Sequence, residues 1–496
     1  MSTNLKALAV VLIFALVVFY LSRPLLLGFM TNQDFDRRRN IWLCLTVTAF
    51  CAPSFWIYCL VAIPVLIKAS RNDSNPLALY VLLLHVIPPY SFEIPSVLVN
   101  RLFSISNYRL LALFVLIPIY LDLRKSNHKH LYKSFRIFDF SILLFLLLQV
   151  VHLAPYEQVT NTFRRVFLFL LDDALLFYVV SRVSRSREKS KEVIASFCLS
   201  CAIMAPAAIF ESSKVWLLYV GIGDEWGTQS LSSTYLFRGS DLRAQVSTGH
   251  SLGLGLVIAA GLALWPILGA NQRYRSVWFF GGLAMFGALL ASFARGPVLA
   301  LVVAYFVFFL LIPRGLNRLF RSLILGIPVL IAAIALRGGQ AVFDALPFFG
   351  KTDNFNVDYR IELARTAWAL IVANPLFGDP FFITKMEHLR QGEGIIDLVN
   401  VYAAIALLYG IVGLILYILP LASAACVTAY TSRQSINKNT EQSLLAPALM
   451  SSLIVIGVCL ATGSLAGALP IMYYLVTGLA AGNWYQFQNT LPSQKP

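Results

Sequence analysis

Polar residues crowd one stretch of an otherwise oily chain. Asp358-Tyr359-Arg360 is followed by Asn374-Pro375-Leu376-Phe377-Gly378, then by His388-Leu389-Arg390-Gln391-Gly392-Glu393-Gly394, and then by Asp397-Leu398-Val399-Asn400 running into a long apolar segment. Arg243 stands just ahead of a Gly-rich apolar run, and Arg295 sits in the turn Ala294-Arg295-Gly296-Pro297. A guanidinium presents a planar fork of donors, holds phosphate oxygens bidentately and keeps its charge. Arg243, Arg295 and Arg360, if they converge, therefore suit a pyrophosphate at a membrane surface. The alternative for each is an arginine snorkelling to the interface. Asp397 precedes Asn400 by three residues, so the two share a helix face, and a carboxylate near arginines can ionise and orient an acceptor hydroxyl. Glu393 and His388 are reserves for that role, and Arg390 and Asn400 are further substrate-binding candidates. The competing readings are that Asp397 complements a helix dipole and that Asn400 is a satisfied buried amide.

Membrane-crossing elements must position these residues. Hydrophobic residues make up 58% of the chain and charged residues 13%, with a mean hydropathy of +0.73. A soluble domain of this length cannot hide so much apolar surface. Apolar runs long enough to cross the bilayer as helices recur, without the alternation of barrel strands, so the expected fold is an all-α polytopic bundle of about 12 to 14 spans. The expected spans are 6–28, 41–67, 77–89, 108–122, 138–153, 164–181, 192–211, 247–268, 277–293, 297–313, 322–336, 399–429, 444–464 and 467–482. These give N-terminal helices over 1–211, an external loop at 212–246, central helices over 247–336, a large external lobe at 337–398, C-terminal helices over 399–482 and a cytoplasmic tail at 483–496. The first run is read as a retained helix and not a signal peptide, and no appended soluble domain is expected.

The formal charge of +15 resides in short interhelical loops, which signals orientation and not a nucleic-acid footprint. Basic loops at 123–137, 182–191, 273–275, 314–321 and 433–438 fall on one side, cytoplasmic by the positive-inside rule, leaving 212–246 and 337–398 outside. Arg37-Arg38-Arg39 disagrees, because this topology puts it outside. Either an early span is wrongly drawn, or those arginines do something besides orientation. The seven cysteines lie in apolar spans as free thiols, and the six scattered histidines offer no metal-ligand spacing. No nucleotide-binding loop or GxSxG is present, which argues against an ATP-driven pump, and no cofactor or metal is required.

Locally, Arg360 should open a surface helix with Asp358 as N-cap, an apolar stripe of Ile361, Ala364 and Trp368, and an end at Asn374-Pro375. Pro297 can occupy the first position of its helix. Asp172-Asp173 falls in mid-span, with Arg164 or Arg165 as possible partners; it is either a bundle-interior pair or part of an acceptor channel.

The order of these segments resembles the O-antigen ligase and polysaccharide repeat-unit polymerase family of bacterial inner membranes. The likeness rests on Arg243 before a Gly-rich helix, the Ala-Arg-Gly-Pro turn, Tyr359-Arg360 followed by Asn-Pro-Leu-Phe-Gly, and Asp397-x-x-Asn400 leading to Tyr409-Gly410-Ile411-Val412-Gly413. It covers roughly residues 230–430. The resemblance implies a metal-independent glycosyltransferase of the inner membrane, with its active site on the periplasmic face. Its donor would be an undecaprenyl-pyrophosphate-linked oligosaccharide, its acceptor a saccharide hydroxyl, and other polysaccharide-assembly proteins and membrane lipid its partners. Ligase members carry a His-Asn pair at the foot of the helix after the large loop; here the pair reads Val399-Asn400. The expectation is therefore a polymerase, with Arg295, Arg360 and Asp397 catalytic. The alternatives are a ligase acting on lipid A-core and, in another class, a flippase, which would spread polar residues through the bundle midplane.

Overall fold

A computed structural model describes residues 3–94, 103–125, 136–228, 236–238, 241–270, 274–321, 324, 354–390, 396, 398–435, 442–464 and 467–490. Among these the chain is helical, apart from two short antiparallel strand pairs, Phe92–Glu93 with Ser104–Ile105 and Phe237–Arg238 with Asp241–Leu242. Seven of the described helices are long and apolar enough to cross a membrane. Other apolar segments are assembled from shorter pieces. Val159–Phe169 runs through a wide turn, Leu170–Ala174, into Leu175–Val183. The expected span at 322–336 lies almost wholly outside the described residues, as do Glu393 and Asp397.

Burial separates the centre of the bundle from its lipid-facing rim. The apolar windows of Arg187–Lys214 and Ser251–Gly269 are each 83% buried, against 28% for Thr3–Leu26 and 33% for Ile137–Tyr156. The central helices have small residues where neighbours approach. Gly261 faces Cys201 and Met285, and Gly255 faces Ala294 and Pro297, so that larger side chains there would hold the helices apart.

Two ends of the bundle are defined by contacts. At one, Asn4 Nδ2 donates to the Gly221 carbonyl (3.1 Å), Trp226 Nε1 to the Ala52 carbonyl (2.8 Å) and the Tyr90 hydroxyl to the Tyr219 carbonyl (2.9 Å). At the other, Arg38 meets Asp73 (2.6 Å) and Glu192 (2.7 Å). The expected single span 41–67 is corrected: it is two helices, Asn32–Cys51 and Phe55–Asn72. Pro53 cannot extend a helix and forces Ala52 into an extended conformation (ψ 126°), after which Ser54 caps the next helix. The division sets Arg37-Arg38-Arg39 at the end that holds the basic loop 182–191, where Arg38 meets Glu192, and so on the same side as that loop under the positive-inside rule. Arg38 also does more than orient. It is 1% exposed and donates through Nε and Nη2 to the two Asp73 oxygens, through Nη2 to Glu192 and through Nη1 to Ser196. Asn75 Nδ2 supplies a further donor to Glu192 (2.9 Å). Removing one member of such a buried cluster strands the others, at a cost of about 3–5 kcal/mol.

Candidate functional site

At the end opposite Arg38, helix Arg275–Ala291 stops at Ser292, whose hydroxyl donates to the Leu289 carbonyl (2.6 Å). Phe293 takes a left-handed φ of 47° and Ala294 leads into helix Arg295–Leu311. Arg243 and Arg238 close on this turn: Arg243 Nε donates to the Ser292 carbonyl (3.4 Å) and Arg238 Nη1 to the Phe293 carbonyl (2.8 Å). Cations at helix C-terminal carbonyls are favoured by the dipole, so part of the role of both is structural. The arrangement nevertheless places Arg243 at the turn from which Arg295 emerges. Burial, with the Arg238 guanidinium adding to it, pushes Arg243 down to about 10, so it stays charged at neutral pH. An anion arriving here would relieve that repulsion. Pro297 is the third helical residue and not the first, since Ala294 is the N-cap. Its missing N–H still falls among those that lack an intrahelical partner.

Glu211 holds the Arg243 strand from below. Its carboxylate is buried and accepts from the backbone N–H groups of Leu218, Gln245 and Val246, each at 2.9 Å. Val246 has φ 46°, a costly conformation for a β-branched residue, and the Glu211 acceptor is what over-determines it. His250 then caps helix Ser251–Leu264, its Nδ1 accepting from Leu252 N–H (3.2 Å). With Thr248, Gly253, Pro297, Thr462 and Ser464 it lines a cavity of about 200 Å³ between the starts of the Ser251 and Arg295 helices. Neither Glu211, His250 nor Arg238 was singled out from sequence. A histidine where Ser, Thr, Asp or Asn normally caps was the available signal for His250.

A second cavity, of about 240 Å³, is lined by Tyr80, Tyr108, Arg109, Asp172, Asp173 and Gly467. Arg109 Nη2 pairs with Asp172 Oδ2 (2.8 Å) and its Nη1 donates to the Ser104 hydroxyl (2.6 Å). The expected partners are therefore corrected: Arg164 bonds Asn161 (2.8 Å) and Arg165 bonds Glu157. The reason is that the pairing runs between helices, which spacing along one helix cannot reveal. Gly467, just ahead of Leu469–Thr490, lines both cavities.

The lobe is a small core of its own. Helix Asn354–Ala373 buries Leu363 and Ala367 against Phe382, Met386, Leu389 and Leu407. Asp358 lies inside this helix and is not its N-cap, because the helix begins four residues earlier. The expected stripe is not the packing face, since Ile361 is 45% and Trp368 69% exposed. The helix does end before Asn374-Pro375. The Asn-Pro-Leu-Phe-Gly segment then docks, backbone to backbone, on a break in helix Val401–Ser435, where Gly410 has φ 65° and ψ −166°. Asp379 N–H donates to the Leu407 carbonyl (2.8 Å), Ile411 N–H to Pro375 (2.8 Å) and Val412 N–H to Leu376 (3.3 Å). These bonds satisfy groups that the break frees from the helix ladder. A Cβ on Gly410 would overlap the Leu376 carbonyl and one on Gly378 (φ 69°) the Leu407 carbonyl, so both glycines are required by position and by dihedral.

The remaining candidates fall as follows. Arg360 is exposed on the lobe helix, one turn ahead of the packed Leu363. Arg390 pairs with Glu387 (2.6 Å), and His388 is exposed. Asn400 is half-buried and caps its helix, its Oδ1 accepting from Ala403 N–H (3.1 Å). Asp379 pairs with Lys385 (2.5 Å), whose hydrogen bond holds its carboxyl below the usual range. The structure thus brings Arg243 and Arg295 to one turn, and puts Arg360 and Arg390 on the lobe docked to the Gly410 break.

The comparison with curated proteins gives no match. Residues 280–418 match the family model described as O-antigen ligase. That stretch includes the Arg295 turn, Arg360, the docked Asn-Pro-Leu-Phe-Gly segment and the Gly410 break, while Arg243 precedes it. Over residues 280–418, set in a multi-pass helical bundle, the chain is thus similar to the O-antigen ligase family.

Proposed function

We propose that the protein polymerises undecaprenyl-pyrophosphate-linked oligosaccharide repeat units for a surface polysaccharide, at the outer face of the inner membrane. The acceptor hydroxyl oxygen attacks the donor's anomeric carbon. As that bond forms, the bond from the anomeric carbon to the pyrophosphate oxygen breaks, and undecaprenyl pyrophosphate leaves with the electron pair. Arg295 and Arg360, with Arg243 behind the Arg295 turn, stabilise the charge that develops on the leaving group. Asp397 takes the hydroxyl proton, and Glu393, His388 and Arg390 line the acceptor side. The observation that carries the reading is the pairing of two guanidiniums, Arg243 and Arg238, around the turn that launches Arg295, beside the cavity capped by His250.

Val399 in place of the ligase histidine favours elongation over transfer to lipid A-core. The products of a deletion strain decide between them. A polymerase deletion leaves single repeat units on the carrier or acceptor, because attachment proceeds while elongation stops. Long polymer still on the carrier would instead establish the ligase. Asp397→Asn should reproduce the deletion phenotype, and normal chain length in that variant would remove the residue from the mechanism.

A further inference from the structure

The lobe carries two kinds of exposed side chain on separate faces. Ile361, Trp368 and Val372, spaced seven and four apart, share one face of helix Asn354–Ala373 and are 45%, 69% and 58% exposed. Asp358 and Glu362, four apart, share the neighbouring face, while Arg365, four after Ile361 and three before Trp368, lies among the apolar side chains with a stem long enough to carry its charge to the interface. Beyond the helix, Leu376, Phe377 and Phe381 extend the apolar exposure at 60%, 52% and 51%. A single exposed apolar side chain needs no account, whereas a contiguous set does.

Both edges of this set run into the sides of membrane-crossing helices. The backbone bonds from Ile411 and Val412 fix Leu376 and Phe377 beside Ile411, which is 50% exposed and one turn from Ile415 at 59%. On the other flank the Phe381 ring meets Tyr156 edge-on at 5.2 Å. Tyr156 closes a row on the rim helix Ile137–Tyr156 made by Phe140, Leu143, Leu147 and Val151, each more than half exposed. Such a row on the least buried helices of a crossing bundle faces acyl chains.

We infer that the apolar face of the lobe, from Ile361 to Phe381, is seated in the lipid interface of the bilayer and is not surrounded by water. Irregular backbone is tolerated at that depth only when its polar groups are bonded to protein, as residues 375–379 are at the Gly410 break. The external lobe is then an interfacial element with lipid beneath it and its charged face toward water. If the proposed function holds, Arg360 then sits near the headgroup level, where the pyrophosphate of a lipid-linked donor lies. The lipid contact is tested independently of that chemistry.

The full chain, with its native cysteines replaced, is reconstituted into phosphatidylethanolamine/phosphatidylglycerol vesicles. Nitroxides are placed singly by Trp368→Cys, Val372→Cys and Phe377→Cys, and by Asp358→Cys and Glu362→Cys. Collision with oxygen should exceed collision with a water-soluble nickel chelate several-fold at the three apolar sites, as at an Ile411→Cys reference, and the order should reverse at the two charged sites. Higher nickel access at the apolar sites would mean water and overturn the proposal. Low access to both reagents, with spin–spin broadening between copies, would mean a covering protein and overturn it as well. Three apolar positions keep the test alive if any one variant fails to fold.

Discussion

A guanidinium and an ammonium carry the same charge with different geometry, which makes lysine the informative replacement at Arg295 and Arg360. Arg295→Lys and Arg360→Lys should each lose most polymer formation at unchanged protein level, read from chain-length profiles. Full activity in both would return these residues to snorkelling. Arg243 needs a different expectation, because it also closes a helix end at Ser292. The residue types and their chemistry were legible in the sequence, but their neighbours were not. Asp172 finds Arg109 across the bundle, and Glu211 finds three backbone N–H groups at the far side of a loop. A local spacing rule sees partners one or two turns away, whereas burying a charge demands whatever partner the tertiary fold supplies.

At the scale of elements, the Asn-Pro-Leu-Phe-Gly segment and the Tyr409-Gly410 break form one interlock. Each supplies backbone groups the other lacks. Gly378→Ala and Gly410→Ala should each undock the lobe, since the added methyl meets backbone and the dihedral is one that alanine resists. The expected result is faster proteolysis within 374–390 and loss of polymer formation, with membrane insertion retained. Unchanged proteolysis in both variants would show that the docking carries no weight. The Asp379–Lys385 pair adds a pH term whose sign is fixed by its direction. A depressed carboxyl pKa contributes stability present above the unfolded value and lost only as pH falls through the lower folded value. The docking should therefore be indifferent to pH near neutrality.

At the scale of the molecule, the prediction concerns sides. With native cysteines removed, Glu387→Cys should react with a membrane-impermeant thiol reagent in intact spheroplasts, and Arg39→Cys only after lysis. The reverse at either position would overturn the topology and the periplasmic site with it. Glu387 is suited to this because its exposed pair with Arg390 is worth little. The sequence by itself determined that this is an all-α polytopic membrane protein, because hydropathy over a span's length is a local sum that needs no partner. Only the tertiary structure divided the run 41–67 between two helices, Asn32–Cys51 and Phe55–Asn72, and set Arg38 against Asp73 and Glu192. It alone joined Arg243 to the Arg295 turn and turned Trp368 outward while Leu363 packs inward. The physical reason is that amphipathic period shows that a helix has faces, while which face meets protein and which meets lipid depends on neighbours distant in sequence.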